Sequence, residues 1–595
     1  MPSKEENARN GLPETDWRDA QYDMLYLPVT ETVRYHYDFN GNRTATVLPD
    51  GRQINYLYYG SGHLHQISLD DEVITDIERD QLHREIYRTQ GKLASRYELD
   101  PLGRLKRQIA TLNDLTEGGK GKTKAAAGYN QTAVKRSYGY DRTGNLTHST
   151  DQRTGTTHFE YDKLGRITQA GSELFAFDPA HNILDIPTEK VKPYPTPSPV
   201  GEGRGEGKTT APLSDNRSVI TDNRLKTYNG TTYYYDDLGN LIHRELADGE
   251  VQNYFYDLHD QLVKAEIFKK DGTKETWAYS YDALGRRMGK GRLKTSQEVS
   301  ETSFPHNLSG NDLENQTRFV WDGSHLLQEI HPDGRYTYIY TDPDSYEPLA
   351  QVRDWTTEDD ENRQQTRYFH CDQIGIPREM TDKDGNLLWF GNYTGWGRLK
   401  EETRVTDTAY QPFRLQNQYA DRETGLHYNF FRYYEPDAGQ FVNQDPIGLA
   451  SNITNLYEFA LNAQVWIDVL GLCVCLDGGS FRDMDKKKNT KTVGHHMPQN
   501  AFLKNENISR SDGPSILMTK EGHKKTRTFA GRGKKTMKDD AILNFEERFA
   551  LDIKDIQDLF PDDEGCKKAI KKAIQYAKSQ KWIGDEFEKM FGFIR

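Results

Sequence analysis

Residues 233–241 read YYYDDLGNL, an alternating aromatic run that meets Asp236 and resumes at Leu241 after Gly239 and Asn240. Alternating aromatics with period two describe a strand with one buried face. Asp opens a tight turn through its side chain, and Gly three residues later supplies the positive φ that closes it. The same unit recurs as YHYDFNGNR at Tyr35, YGYDRTGNL at Tyr138, FEYDKLGRI at Phe159 and YSYDALGRR at Tyr279. Degenerate copies are YELDPLGRL at Tyr97, YFYDLHDQL at Tyr254 and FHCDQIGIP at Phe369. One copy buries too little to be stable alone, so copies must stack side by side into a continuous sheet. The tyrosines and aspartates of these units are therefore expected to be scaffold.

Composition agrees with repetitive β structure. Apolar residues make up only 35% of the 595, yet the chain holds 35 Tyr and 49 Gly, which favours turns and strands over disorder. Charge divides unevenly: residues 473–595 carry a formal net charge of +6 against −19 for the rest. A basic tail on an acidic body points to a polyanionic partner for the tail. Four cysteines (Cys371, Cys473, Cys475, Cys566) are too few for a disulfide scaffold. No stretch approaches the roughly 20 apolar residues of a membrane span, and no charged-then-apolar leader opens the chain. Export without a cleaved signal is the expectation.

The repeats resemble those of the Rhs/YD-repeat family, over most of residues 31–472. The resemblance implies a mainly β shell, a spiral sheet that encloses a carboxy-terminal toxin. It implies residues 1–30 as a polar amino-terminal segment, 31–424 as the shell, 425–472 as the closing motif and 473–595 as the toxin. The resemblance also implies a longer shell that couples to a secretion apparatus through an amino-terminal region, expected to be missing from these residues. Residues 187–212 are rich in Pro, Gly and charge and read as a flexible insertion, with 113–124 similar.

From Gly425 the chain reads GLHYNFFRYYEPDAGQFVNQDPIGL and continues to DVLGLC at Cys473. This segment resembles the family's closing motif, in which two aspartates act as an aspartyl-protease-like pair. The matching positions are Asp445 and Asp468, with the cut between Leu472 and Cys473. Two carboxylates held together do not both ionise, so one serves as acid while the other activates water. Asn462-Ala463 and Asp468-Val469 stand where the family has Asn-Pro and Asp-Pro; neither change removes a carboxylate.

Beyond Cys473 tyrosine nearly vanishes and helical periodicity takes over at 541–556 and 566–583. These features read as a small α+β domain. Gly494-His495-His496 is followed by His523 within 29 residues, with Lys524, Lys525, Arg527, Arg532, Lys534 and Lys535 next to it. The segment resembles HNH/endonuclease VII-like nucleases of the Gly-His-His type, which carry a ββα finger around one metal. That resemblance implies His495 and His523 as metal ligands and His496 as general base. Some relatives have His at the position of Arg527, an arginine suited to bidentate phosphate binding. The metal shell would be thin, completed by water or Asn500, which suits Mg²⁺ more than Zn²⁺ or Ni²⁺. The lysines and Arg532 would track a nucleic-acid backbone, DNA before RNA.

The leading expectation is thus an antibacterial Rhs-type toxin. Its shell would release a metal-dependent endonuclease into the target-cell cytoplasm after contact-dependent or type VI-like delivery. A dedicated, acidic immunity protein would guard the producer. Two other classes remain open: an ADP-ribosyl or nucleotidyl transferase in the same shell, or a non-enzymatic cell-surface or carbohydrate-binding repeat protein. The tail has no phosphate-cradling glycine loop beyond Gly531-Arg532-Gly533, and the change of composition at Cys473 disfavours a uniform binding protein.

Overall fold

Every well-formed repeat turn closes on its aspartate. In FEYDKLGRI, Asp162 Oδ1 accepts the backbone N–H of Leu164 at 2.9 Å and of Arg166 at 3.0 Å. Its Oδ2 accepts Arg166 Nε at 2.7 Å, and Gly165 sits at φ +83°. One carboxylate therefore satisfies three donors, which holds its pKa below the usual aspartate value even against burial. The residue that resumes the strand is core: Leu146, Ile167, Leu241 and Leu262 are all buried.

The tyrosine before the aspartate couples one copy to the next. Tyr140 Oη donates to the Leu105 carbonyl, Tyr161 to Leu146, Tyr256 to Leu241 and Tyr281 to Leu262, all at 2.8–2.9 Å. Each acceptor is the strand-resuming leucine of the preceding copy. The pairing register slips at the same tyrosines, between Glu160 and Tyr161, Phe255 and Tyr256, and Ser280 and Tyr281. These are β-bulges, which aim the ring back across the sheet.

The computed structural model describes residues 31–60, 62–112, 132–185, 222–294, 313–357, 359–446, 455–460, 462–465, 468, 471, 475–487, 492–506, 508–529, 531–560, 564–584 and 587. The amino-terminal segment, the insertion at 187–212, residues 113–124 and the Leu472–Cys473 junction lie outside them. The chain forms two compact units, Met1–Ile74 and Thr75–Arg595. The first holds the antiparallel strands Arg34–Tyr37, Arg43–Val47, Gln53–Tyr59 and His63–Leu69 over a core of Ile54, Leu64 and Ile67.

The second unit has an antiparallel meander of its own, from strand Glu85–Gln90 through strand Glu173–Leu174. A fifteen-stranded antiparallel sheet follows from Thr227–Tyr228 to Leu399–Arg404, in which sequence neighbours are always sheet neighbours. A four-stranded sheet (Tyr419–Ala420, His427–Asn429, Arg432–Glu435, Gln440–Phe441) then packs on the repeat turns. Tyr457 Oη donates to the Gly239 carbonyl at 2.8 Å and Tyr281 Oη meets Tyr433 Oη at 2.8 Å. Buried ion pairs fasten the same contact: Arg287 to Asp421 at 2.5 Å, Lys290 to Asp421 and Glu423 at 2.9 Å, and Arg244 to Glu435.

From Cys475 onward the elements change. Strands β1 (Cys475–Ser480), β2 (Thr492–His496) and β3 (Pro514–Thr519) form an antiparallel sheet in the order β1-β3-β2. Helices α1 (Phe481–Lys487), α2 (Asn500–Asn505), α3 (Lys520–Lys525), α4 (Gly531–Asp539), α5 (Phe545–Leu559) and α6 (Glu564–Ser579) accompany it. Asn544 and Glu547 form a reciprocal capping box at the start of α5. Their core is a cluster of its own, with Ile516 and Met518 of β3, Phe549, Ile553 and Ile556 of α5, and Ile570, Ala573 and Ile574 of α6. Cys566 is disulfide-bonded, whereas Cys371 of the repeat sheet is a buried free thiol. Among the described residues no helix is long and apolar enough to cross a membrane.

Candidate functional site

Two constellations stand out, one in the closing segment and one in the carboxy-terminal region. In the first, Asp445 and Asp468 converge on a single nitrogen of Arg432, whose Nη2 lies 3.7 Å and 3.3 Å from them. The Arg432 guanidinium is itself stacked over Phe441. Its Nε donates to the Gly471 carbonyl, and Asn429 Nδ2 donates to the Asp468 carbonyl at 2.9 Å. The residue just before Leu472 is thereby held beside the two carboxylates. Gly471 sits at φ +63°, and a β-carbon there would come within 2.8 Å of the Asn429 carbonyl oxygen. Only glycine fits, a physical reason for the Gly of DVLGL. Arg432 was not singled out by sequence reasoning; the signal that could have found it is a basic residue inside an otherwise aromatic run, FFRYYE.

In the second constellation β2 ends on Gly494-His495-His496, β3 pairs with it, and α3 follows β3 directly. This ββα order brings the His523 ring to 5.1 Å from that of His495. Phe529 packs on the other side of His523 at 5.2 Å. Thr519 caps α3 by accepting the Gly522 N–H, which fixes where the helix starts and hence where His523 points. Gly494 has structural work too: a β-carbon there would meet the Phe481 ring at 2.9 Å.

Burial and the neighbouring imidazoles push His495 well below the usual histidine pKa, and burial lowers His523 as well. Both are neutral at pH 7, the form that can donate a lone pair to a metal. His496 takes the opposite side of the strand, as adjacent strand positions must. It stacks on Phe481 at 3.9 Å, and its Nε2 lies 2.9 Å from the Arg510 carbonyl. A carbonyl accepts only from N–H, so this bond fixes the proton on Nε2 and leaves Nδ1 as the basic nitrogen. Burial lowers this histidine to about 4.

Asn500, at the start of α2, has a buried Oδ1 with no hydrogen-bond partner. Among the described residues no group of three or more His, Cys, Asp or Glu gathers around a point. His495 and His523 are the two neutral imidazoles that stand together here, donors of the kind that bind a divalent transition ion.

The expected phosphate ligands divide. Lys524 and Lys525 are exposed at the end of α3, and the exposed Arg532 of α4 donates to the Lys524 carbonyl, so the three lie together. Arg527 is a correction. Its two terminal nitrogens bind Asp540 and Asp552 at 2.6 Å each, and both carboxylates are buried. A guanidinium occupied at both ends has no fork left for phosphate.

Residues 140–173 match the family model described as RHS Repeat, and residues 367–403 the model described as RHS protein. Two segments of the chain are thus similar to Rhs proteins. "Double-stranded DNA deaminase toxin A" of Burkholderia cenocepacia is 35% identical over 459 residues, 74% of this chain and 29% of that protein. "Toxin protein Tse5" of Pseudomonas aeruginosa is 30% identical over 467 residues, 73% of this chain and 33% of that one. "Probable deoxyribonuclease RhsB" of Dickeya dadantii is 28% identical over 479 residues, 78% and 29%. This chain therefore spans no more than about a third of the length of these relatives. A solved structure of the Photorhabdus luminescens Tc holotoxin pore is 16% identical, covers 74% of this chain and 21% of that one, and has a TM-score of 0.47.

Proposed function

We propose that the chain is an Rhs-type toxin whose repeat sheet carries, and by self-cleavage after Leu472 releases, a metal-dependent endonuclease acting on DNA. The observation that supports the nuclease reading is the His495–His523 contact, made between a strand end and the helix that follows its partner strand. In this reading His495 and His523 hold a divalent ion, Mg²⁺ first, with Asn500 as a third donor. Bound there, the ion would stabilise charge on the phosphoryl oxygens and the leaving oxygen. His496, the general base implied by the resemblance, is turned to the opposite side of the strand, stacked on Phe481 with its Nε2 on the Arg510 carbonyl, so in this reading it holds the strand in place and does not touch the attacking water. Lys524, Lys525 and Arg532 hold the backbone on either side of the cut. Asp445 and Asp468 perform the self-cleavage, with Arg432 holding both carboxylates and the Gly471 carbonyl in register.

The Burkholderia relative is named for deamination. Zinc deaminases use an H-x-E motif with P-C-x-x-C, and neither occurs from Cys473 to Arg595. Two relatives from Dickeya dadantii are named as probable deoxyribonucleases, which favours DNA. Delivery through a secretion apparatus and neutralisation by an acidic immunity protein complete the proposal.

The test is incubation of the purified chain with plasmid DNA and with total RNA, in Mg²⁺ and in EDTA. Metal-dependent DNA cleavage that falls at least about 100-fold in His495→Ala and in His523→Ala is the expected result. Cleavage that survives EDTA, or is indifferent to both substitutions, would remove the site from consideration.

A further inference from the structure

Arg527 stands four residues after His523, and everything around it ties it down. Its guanidinium joins Asp540, just beyond α4, to Asp552 in the middle of α5. Its backbone N–H donates to Asp555 Oδ2 at 2.7 Å, a second contact with α5. The preceding residue, Thr526, is buried, and its hydroxyl donates to the His523 carbonyl at 2.9 Å. The histidine is thus linked to Thr526, Thr526 to Arg527, and Arg527 to two further helices, within one short run of chain.

The charge balance around Arg527 argues against contact with nucleic acid. The guanidinium is paired with two carboxylates, Asp540 and Asp552, and the backbone N–H of the same residue with a third, Asp555. An arginine already outnumbered by carboxylates offers a phosphate repulsion rather than attraction, and releasing either carboxylate would leave a buried charge unpaired. The exposed cations lie elsewhere, on the last turn of α3 and along α4. Helix α3 is only six residues long and has no length with which to fix its own orientation. Something outside it must do so.

We infer that Arg527 is a positioning residue that sets His523 against His495 by clamping the segment after α3 to α5, and that it is not a phosphate ligand. The inference rests on the metal-dependent reading of the His495–His523 pair. Its consequence is a separation of roles along one basic run: Lys524, Lys525 and Arg532 act on the substrate, whereas Arg527 acts through the metal ligand.

The full chain is titrated with Co²⁺, read by its visible absorption, and a fluorescent DNA duplex is then bound at saturating Co²⁺. Compared with wild type are Arg527→Lys, which keeps the charge but loses the two-ended fork, and the double change Lys524→Ala with Lys525→Ala. We expect Arg527→Lys to weaken Co²⁺ binding at least tenfold and alter the absorption band, while duplex affinity at saturating Co²⁺ moves less than twofold. The double lysine change should do the reverse. Wild-type Co²⁺ affinity in Arg527→Lys, together with lost duplex affinity, would make Arg527 a phosphate ligand and overturn the inference. Should Arg527→Lys not fold, Asp540→Asn leaves the Asp552 pair in place and carries the same comparison; unchanged Co²⁺ binding there would also overturn it. A wild-type chain that binds no Co²⁺ sinks the metal reading and this inference with it.

Discussion

The repeat sheet and the carboxy-terminal region both pair buried charges and both hold buried histidines neutral, His370 and His427 in the first; they differ in that two such imidazoles, His495 and His523, stand 5.1 Å apart in the second. In the sheet and its closing segment the buried charges described above are answered by others. Arg287 and Asp421 are fully buried partners, and Lys290 neutralises what remains. Glu329 accepts from Tyr338, Tyr410 and Tyr419 and also meets His331, and these contacts hold its pKa below the usual value despite complete burial. In the carboxy-terminal region His495 and His496 are buried and His523 half-buried, with no carboxylate among the causes that move His495 and His523, and all three are driven toward the neutral form. Charges that are satisfied make a scaffold. Lone pairs kept neutral and adjacent make a place for an electrophile.

The largest effect that could break this comparison lies in the closing segment. Asp445→Asn or Asp468→Asn should abolish self-cleavage, leaving the full 68.6 kDa chain on a denaturing gel; continued processing in both variants would detach the pair from the cut. Next comes the scaffold's own charge. Arg287→Met leaves Asp421 to Lys290 alone and should cost up to roughly 3–5 kcal/mol in denaturant unfolding, and a loss under about 1 kcal/mol would show the pair to be poorly desolvated.

The third sharpens the contrast through pH. His496 is lowered to about 4 in the fold, whereas the unfolded chain takes up its proton near 6.5. The unfolded state therefore binds more protons between those values, and stability present above about pH 6.5 is lost as pH falls toward 4, by up to about 3 kcal/mol. His496→Phe should flatten that part of the carboxy-terminal region's stability profile. An unchanged slope would mean that the imidazole stays solvated.

The fold was legible because its unit is local. Aromatic-x-Tyr-Asp-x-x-Gly contains its own strand, turn donor count and positive φ within nine residues, so Asp162 and Gly165 could be placed from the string alone. The two periodic helices were legible for the same reason, although α5 begins at Phe545, where Asn544 caps it, rather than at Ala541. The Tyr161–Leu146 bond was not legible, since it joins one copy to another across the sheet. Arg432 and Arg527 were missed or misread because their roles are set by partners distant in sequence. Asp468 lies 36 residues from Arg432 and Asp552 lies 25 from Arg527. A guanidinium in a basic run looks the same whether it faces water or two buried carboxylates.

The turns closed by aspartate have a further consequence. Because the strands run antiparallel in strict succession, most turns of the Asp162 kind fall along one edge of each sheet, and the Asp382 turn falls on the other. The first edge is also the one that meets the closing segment, through Gly239, Tyr281 and Arg287. The two long stretches between consecutive strands, 113–131 and 295–312, join strand ends on the other edge. One margin is a hem, stitched at nearly every repeat; the other, which has tight turns of its own at Leu246, Lys269 and Asp382, is a selvedge that lets out chain at 113–131 and 295–312. An epitope or a fluorophore sewn into 113–131 or 295–312 would ride on the finished protein, whereas a single residue added between Asp162 and Gly165 would unpick it.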